Sequence, residues 1–223
     1  MEILFDTANL ADIEAMTPIY SIAGVTTNPT ILKAEGRIDF YPHFRRIREI
    51  IGFERSLHVQ VLAQDVSGIL AEAHRLLELI DEQVYVKIPT TEPGIQAMRL
   101  LRAEGINVTA TAVYSKMQGI LAIAAGANYV APYFNRMESL DIDAAATIGA
   151  LSAAIDQQGA DCTIVAASFK NVAQVSAAFE AGAEAVTVAP MLLRSSLSAP
   201  YVREAVNGFA ADWYSTFGTN SLP

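Results

Sequence analysis

The sequence contains little cysteine and little charge for a chain of 223 residues. Its one cysteine, Cys162, has no partner for a disulfide within the chain, which is typical of proteins from a reducing compartment. Charged residues make up 17% of the chain and hydrophobic residues 52%, so the charged share is below the usual quarter. This balance predicts extensive burial of side chains, to which an interface between subunits could contribute.

Basic residues are scarcer than acidic ones. Lysine and arginine number 15 against 24 aspartates and glutamates, which gives a net charge of −9 and a pI of about 4.8. Nucleic acids and anionic membranes bind basic surfaces, so neither is expected as a main partner. A small phosphorylated ligand is still compatible with the composition, because one arginine can hold a phosphate locally.

The pattern of a targeting or membrane-spanning segment is also lacking. The first residues, MEILFDTANL, are acidic and do not form the basic and apolar regions of a signal peptide. No apolar run reaches the length of about 18 residues that a membrane-spanning helix needs. We therefore expect a soluble cytoplasmic protein.

Short apolar runs alternate with amphipathic helical patterns along the whole chain. Eight such units, with no linker rich in proline, glycine or serine between them, predict an α/β fold. We expect one (β/α)8 TIM-barrel domain over residues 1–223, with an additional C-terminal helix at about 201–217. The alternative is an open doubly wound sheet, but no GxGxxG loop follows the first predicted strand. The predicted strands are Ile3–Asp6, Gly24–Asn28, Leu57–Leu62, Val84–Pro89, Asn107–Val113, Tyr129–Phe134, Thr163–Ser168 and Ala185–Ala189.

Polar residues occupy the C-terminal ends of most predicted strands, where a TIM barrel places its active site. Too few histidines and cysteines lie there for a zinc site, and the acidic residues do not cluster as a magnesium site requires. The sequence therefore predicts a site without a metal or a cofactor. Its candidate residues are Asp6, Thr26, Asn28, Gln60, Lys87, Thr111, Tyr133, Arg136 and Ser168.

Lys87 lies inside an apolar strand, in the stretch VYVKIPTTEPG (Val84–Gly94). A buried ammonium group without a partner is costly, so it tends to lower its pKa and lose its charge. A neutral amine at pH 7 is a nucleophile towards carbonyl groups. The alternative is a structural ion pair, for which Asp6 on the first strand is the first candidate.

A nucleophilic lysine without a metal indicates imine chemistry on a ketone. The imine draws electrons from the neighbouring carbon–carbon bond, which breaks and leaves an enamine. The reaction then needs a proton acceptor and a proton donor. Asp6 can supply a carboxylate, while Tyr133, Gln60 and Thr111 can hold a water and relay protons.

The remaining candidates suit substrate binding. Arg136 and Ser168 can hold a phosphate away from the reacting carbon, where it helps to position the substrate. Thr26 and Asn28 lie at the end of the second predicted strand and can contact the same substrate. Structural alternatives remain open, since Asn28 precedes proline and could belong to a turn. Arg136 could be an ordinary surface charge.

Five motifs follow one another from one end of the chain to the other. They are AGVTTNPT (Ala23–Thr30), VKIP (Val86–Pro89), TAVY (Thr111–Tyr114), YVAPYFNR (Tyr129–Arg136) and AASFK (Ala166–Lys170). With these motifs the sequence resembles the small-subunit transaldolase family, and within it the fructose-6-phosphate aldolase branch. The resemblance implies a (β/α)8 barrel and class I aldol chemistry on small phosphosugar and hydroxyketone substrates. It also implies Lys87 as the Schiff-base residue and a homo-oligomer, commonly a decamer, whose C-terminal helix packs on a neighbouring subunit.

Two positions distinguish the branches of this family. Its transaldolases typically carry Glu in place of Gln60 and Phe in place of Tyr133, so both residues are of the aldolase type here. A hydroxyl on Tyr133 can protonate the enamine and so release dihydroxyacetone. One segment departs from the aldolase branch, because NRMESLDIDAAATI (Asn135–Ile148) lacks a glycine-rich stretch above the expected phosphate site.

Three functions follow from these observations. The first is the reversible cleavage of fructose 6-phosphate to dihydroxyacetone and glyceraldehyde 3-phosphate. The second is a transaldolase that transfers the dihydroxyacetone unit to erythrose 4-phosphate. The third is a phosphosugar-binding barrel without catalysis.

Overall fold

Eight parallel strands form a closed barrel in the computed structural model, which describes residues 1–222. Each strand pairs with its neighbours in chain order, and β8 pairs with β1 to close the sheet. This closure confirms the predicted TIM barrel and rules out the open sheet. The strands are β1 (Glu2–Asp6), β2 (Gly24–Thr26), β3 (Ser56–Gln60), β4 (Tyr85–Pro89), β5 (Val108–Val113), β6 (Tyr129–Pro132), β7 (Thr163–Ala166) and β8 (Ala185–Val188).

Several strands end one or two residues before the predicted boundary. The prediction for the third strand ran to Leu62, whereas β3 ends at Gln60. The Val61 amide still donates to the Lys87 carbonyl at 3.0 Å, but Leu62 is 67% exposed. The apolar run therefore continues past the point where the chain leaves the barrel, and hydrophobicity alone placed the end too late.

Helices connect the strands, and most begin at a side chain that caps the first turn. Such a cap accepts a hydrogen bond from a backbone amide that has no partner within the helix. The capping residues are Asn9, Asn28, Asp65, Thr91, Ser115, Asp143 and Asn171. The helices are α1 (Leu10–Met16), α2 (Pro29–Ala34), α3 (Phe40–Ile51), α4 (Val66–Leu79), α5 (Glu92–Ala103), α6 (Lys116–Ala124), α7 (Phe134–Glu138), α8 (Ala144–Gln158), α9 (Val172–Glu180), α10 (Pro190–Leu197) and α11 (Pro200–Phe217).

Three helices are followed by a glycine that ends them. Gly105, Gly126 and Gly182 have φ angles of 80°, 84° and 106°, in the region that residues with a Cβ atom rarely adopt. Each directly follows the C-cap residue of its helix, where glycine is the residue that most readily takes up this conformation.

The lower half of the barrel interior contains a polar cluster around His58. One imidazole nitrogen of His58 lies 2.8 Å from the Thr109 hydroxyl, and the other lies 2.8 Å from the Ser56 hydroxyl. The ring stacks on Tyr85 with centroids 4.8 Å apart and meets Tyr129 edge-on at 5.0 Å. His58 is therefore a buried core group whose two nitrogens both have partners.

Strand β5 contains an irregularity just before the barrel rim. Its pairing with β6 shifts register between Ala110 and Val113, and Ala112 has a φ of 56°. Left-handed φ is uncommon for a residue with a Cβ atom, so the backbone here is strained. The irregularity re-aims the end of β5, where Thr111 and Tyr114 lie.

The described chain falls into two compact units, residues Met1–Pro190 and the segment that begins at Met191. Helix α11 confirms the predicted C-terminal helix, and it exposes several apolar side chains, including Tyr201, Val206 and Phe209. One domain over residues 1–223 stays a prediction, and Pro223 lies outside the described residues. Among residues 1–222, no helix is long and apolar enough to cross a membrane.

Candidate active site

Lys87 lies in the middle of β4, between the fully buried side chains of Val86 and Ile88. Only 3% of its surface is exposed, and its Nζ atom donates a hydrogen bond to the Thr27 carbonyl at 2.8 Å. Burial lowers the pKa of Lys87, and the nearby negative charge of Asp6 offsets part of that shift. The prediction of a buried lysine is therefore correct, and its amine is shifted towards the neutral, nucleophilic form.

Asp6 is the last residue of β1, and its carboxylate accepts a hydrogen bond from a threonine hydroxyl. The Thr26 hydroxyl donates to Asp6 Oδ1 at 2.8 Å and lies 2.6 Å from the Thr187 hydroxyl. Because the single proton of Thr26 goes to the carboxylate, Thr187 must donate to Thr26. Burial raises the pKa of Asp6, while the charge of Lys87 and the Thr26 hydrogen bond lower it. Asp6 caps no helix, since Asn9 is the N-cap of α1.

Tyr133 follows β6 and places its hydroxyl beside β5. Its phenolic oxygen lies 2.9 Å from the Thr111 hydroxyl. Burial raises the pKa of Tyr133, which keeps the phenol protonated near neutral pH. Tyr133 can therefore donate a proton or a hydrogen bond to a group in the barrel mouth.

Arg136 lies on α7, one turn beyond Tyr133. Its Nη1 atom donates to the Tyr114 hydroxyl at 3.1 Å, and its guanidinium lies over the Tyr133 ring at 5.0 Å. Tyr114 also meets the Tyr133 ring edge-on, with centroids 5.5 Å apart. Arg136 makes no salt bridge within residues 1–222, so its charge is free for an anionic ligand.

Six of the predicted site residues line one cavity of about 110 Å³ at the C-terminal ends of the strands. Asn28 Oδ1 accepts the first amides of α2, which leaves the amide hydrogens of Asn28 for a ligand. Ser168 has a φ of 65°, and its carbonyl accepts the Asn135 amide at 2.9 Å. The six residues are Asp6, Asn28, Lys87, Tyr133, Arg136 and Ser168.

The arrangement combines an amine, a carboxylate and a phenol around one small cavity, with a cation at its edge. Comparison with known proteins agrees with this chemistry, because the sequence model of the transaldolase/fructose-6-phosphate aldolase family matches residues 3–219. The chain belongs to this family. The family match confirms the resemblance inferred from the five sequence motifs.

A close relative and a solved structure support the assignment at two levels. A Streptococcus pneumoniae protein named as a probable fructose-6-phosphate aldolase is 46% identical over 222 residues, covering 100% of both chains. A crystal structure from Coccidioides immitis, provisionally described as a deoxyribose-phosphate aldolase, has a TM-score of 0.60 at 16% identity. That match covers 85% of this chain and 81% of the other, and it supports the barrel fold alone.

Gln60 is the register partner of Lys87 in the pairing of β3 with β4. It lines a neighbouring cavity of about 470 Å³ together with apolar side chains such as Leu32 and Phe40. The Oε1 atom of Gln60 is buried and has no hydrogen-bond partner within the described chain. It is therefore available to a ligand or a water.

Two residues that contact the candidate site were not singled out from the sequence. Thr187 lies on β8, a strand that offered no candidate at its end, although its inward position follows from alternation along the strand. Tyr114 ends the motif TAVY, so its place after β5 was visible, but its contact with Arg136 was not. Thr26 contacts Asp6 rather than lining the cavity, and Thr111 acts through Tyr133.

Within residues 1–222, no group of three or more histidine, cysteine, aspartate or glutamate side chains is arranged to hold a metal ion. Cys162 is buried, and burial raises the pKa of its thiol to about 12.

Proposed function

We propose that the protein is a class I aldolase that reversibly cleaves fructose 6-phosphate to dihydroxyacetone and glyceraldehyde 3-phosphate. The observation that carries the proposal is the buried Lys87 amine, which opens on a cavity that it shares with Asp6 and Tyr133. The relative named as a probable fructose-6-phosphate aldolase covers the full chain and supports the same substrate.

The first step joins the enzyme and the ketose. The neutral amine of Lys87 attacks the C2 carbonyl, the carbinolamine loses water, and an iminium ion forms. Burial favours this step because it lowers the pKa of Lys87. The Thr27 carbonyl, which accepts a hydrogen bond from Nζ, holds the amine in place before the attack.

The second step breaks the bond between C3 and C4. The electrons of that bond move to the iminium nitrogen and leave an enamine, while the C4 hydroxyl loses its proton as glyceraldehyde 3-phosphate forms. The proton acceptor is the carboxylate of Asp6, either directly or through a water. Its hydrogen bond from Thr26 fixes the orientation of the carboxylate during the transfer.

The third step protonates the enamine and releases dihydroxyacetone. Tyr133 delivers the proton to C3, and its hydroxyl is held for this by Thr111. The proton that Asp6 accepted in the second step then returns to the Tyr133 phenolate through water, so both groups regain their starting forms. The iminium then regains the water lost in the first step, which frees dihydroxyacetone and restores Lys87. Gln60, whose buried oxygen lacks a partner within residues 1–222, can orient that water.

Binding of the phosphate takes place at the rim, away from the reacting carbon. Arg136 supplies the charge, and Ser168 and the Asn28 amide supply hydrogen bonds. With a net charge of −9, the protein needs a local cation to attract an anionic sugar.

The decisive experiment combines trapping with product analysis. The protein is incubated with dihydroxyacetone and borohydride, and mass spectrometry locates the reduced adduct, which we expect on Lys87. Release of dihydroxyacetone from fructose 6-phosphate without an acceptor supports the aldolase. Release only with erythrose 4-phosphate would identify a transaldolase instead, and no adduct would indicate a binding protein.

The assembly and the location of the protein are part of the same proposal. We propose a homo-oligomer in the cytoplasm that acts on pentose phosphate intermediates. The exposed apolar side chains of α11 support self-association, because large apolar surfaces tend to become interfaces. The single cysteine supports a reducing location.

A further inference from the structure

Gln174, a residue of α9 outside the cavity, connects the two segments that hold the phosphate-binding groups. It is only 8% exposed, and every hydrogen-bonding atom of its amide has a protein partner. Its Oε1 atom accepts the Lys170 amide at 2.7 Å, and its Nε2 atom donates to Asn135 Oδ1 at 3.1 Å and to the Glu138 carboxylate.

These partners are close in sequence to the two proposed phosphate-binding residues. Asn135 directly precedes Arg136 on α7, and Glu138 follows it two residues later. Lys170 lies two residues after Ser168, on the loop that leads to α9. The side-chain amide of Gln174 therefore links the helix that carries the cation to the loop that carries the hydroxyl, in addition to the backbone bonds between them.

Helix α7 depends on contacts with neighbouring segments for its position. It has only five residues, and its N-cap position makes no side-chain hydrogen bond. A helix this short is not stable by itself and depends on tertiary contacts. The backbone bond from Asn135 to the Ser168 carbonyl and the packing of Phe134 on Phe169 fix its start, whereas the Glu138 contact fixes its end.

Gln174 also engages a negative charge close to the proposed phosphate site. The Glu138 carboxylate is exposed, and without Gln174 it would be free to move towards Arg136 and compete with a phosphate. The neutral amide of Gln174 thus holds the Glu138 carboxylate away from Arg136 while Arg136 binds the substrate phosphate.

We infer that Gln174 is a positioning residue that adapts the barrel mouth to a phosphorylated aldehyde, by fixing Arg136 relative to Ser168. This inference rests on the proposed function, because it assigns a substrate preference to the same site. It also explains how the segment after Arg136 can support a phosphate site without a glycine-rich stretch.

The test compares two acceptors in the synthetic direction, dihydroxyacetone with glyceraldehyde 3-phosphate and dihydroxyacetone with glyceraldehyde. Gln174→Glu removes both donors and sets two carboxylates against each other. We expect KM for the phosphorylated acceptor to rise about tenfold, which corresponds to the loss of one buried hydrogen bond. KM for glyceraldehyde and kcat should change little. Gln174→Met, which keeps the volume without the amide, should give the same selective loss.

A second substitution gives the sharpest control. In Gln174→Glu combined with Glu138→Gln, the donor and the acceptor exchange places, so the pair can form again and KM for the phosphorylated acceptor should return towards the parent value. Asp81→Asn is a control for stability. Asp81 lies in the loop before β4, at the opposite end of the barrel, and the substitution weakens its buried ion pair with Arg48. It reports general destabilisation and should affect both acceptors equally.

Each outcome separates the inference from the proposed function. A parent protein that uses neither acceptor would overturn the proposed function. If the parent is active but Gln174→Glu and Gln174→Met lose both acceptors to the same extent, Gln174 is a packing residue and the inference is wrong. Failure of the exchanged pair to restore selectivity would also contradict it.

Discussion

The two polar layers inside the barrel differ in how completely the protein satisfies them. In the layer near the N-terminal ends of the strands, His58 has a partner at each nitrogen, Ser56 and Thr109, and a stacked neighbour in Tyr85. In the layer near the C-terminal ends, the amine of Lys87 has one carbonyl partner and no salt bridge with Asp6 within residues 1–222.

The difference teaches where a buried polar group becomes available for chemistry. A satisfied group contributes to the stability and uniqueness of the fold, whereas a buried group that lacks partners keeps its capacity for a ligand. His58 belongs to the first kind, and its pKa lies well below its ordinary value because of burial. Lys87 and the unpartnered Gln60 oxygen belong to the second.

The largest effect should follow from removing the Lys87 amine, in the layer near the C-terminal ends of the strands. Lys87→Met should abolish borohydride trapping in the cavity and aldol cleavage, because Lys87 is the one lysine that lines the cavity among the described residues. It should also stabilise the fold at pH 7, by roughly 2–4 °C in Tm for each kcal/mol gained in a chain of this size. Mass spectrometry and thermal unfolding measure the two effects.

The pH dependence of that stabilisation has a definite sign. The folded pKa of Lys87 lies below the ordinary value of 10.5, so between the two values the unfolded state binds more protons and the parent gains stability as pH rises. The Tm advantage of Lys87→Met should therefore shrink in alkaline buffer. The exposed Lys116→Met is the control, and equal pH dependence in both variants would contradict the assignment.

Removing the Tyr133 phenol, in the same layer, should have the next largest effect. Tyr133→Phe should lower dihydroxyacetone release about 10²–10⁴-fold, the usual contribution of a general acid or base. Trapping on Lys87 should persist, and transfer to erythrose 4-phosphate should gain relative to cleavage, further so with Gln60→Glu. Unchanged release of dihydroxyacetone would make Tyr133 a packing residue.

Substitution of His58, in the layer near the N-terminal ends of the strands, should lower stability and leave activity nearly unchanged. His58→Phe keeps the stack on Tyr85 but leaves the hydroxyls of Ser56 and Thr109 without their partner. The loss of such buried hydrogen bonds costs about 1–3 kcal/mol, so Tm should fall by several degrees while kcat stays within a few fold.

The Tm difference between the parent and His58→Phe should become smaller at acidic pH. Since the folded pKa of His58 lies below 6.5, the parent loses stability as pH falls below 6.5, where the unfolded histidine becomes protonated. Phenylalanine has no such proton, so the Tm difference should be smaller at pH 5 than at pH 7.5. A kcat loss as large as that of Tyr133→Phe would place His58 in the chemistry after all.

The smallest expected effect lies on the boundary between the layers. Thr187→Val removes the hydroxyl that donates to Thr26 and so weakens the Thr26 bond to Asp6. The pKa of Asp6 should rise slightly, and the acidic limb of the rate profile should move up by a few tenths of a pH unit. Thr187→Ser should restore the parent profile, and an identical shift in the serine variant would indicate a packing effect.

Local sequence patterns were sufficient where neighbouring residues decide the structure. The burial of Lys87 follows from the apolar residues on either side of it, and the caps and glycines follow from turn chemistry. The closed barrel was predictable because eight strand–helix units of regular length leave few other arrangements.

Contacts between distant elements could not be derived in this way. The hydrogen bond between Tyr114 and Arg136, for example, joins residues 22 positions apart in sequence. The path of β5 to Tyr114 includes the left-handed Ala112, which no periodicity predicts.

The strained backbone at Ala112 gives the barrel a position where a substitution can add stability without changing a reacting group. A left-handed L residue costs roughly 1–2 kcal/mol. Glycine would remove that strain while adding about 0.4–1 kcal/mol of freedom to the unfolded chain. The net gain from Ala112→Gly touches no group that contacts a substrate. Such a substitution could compensate for a destabilising change elsewhere in the mouth, and so allow new substrate preferences to be explored without loss of the fold.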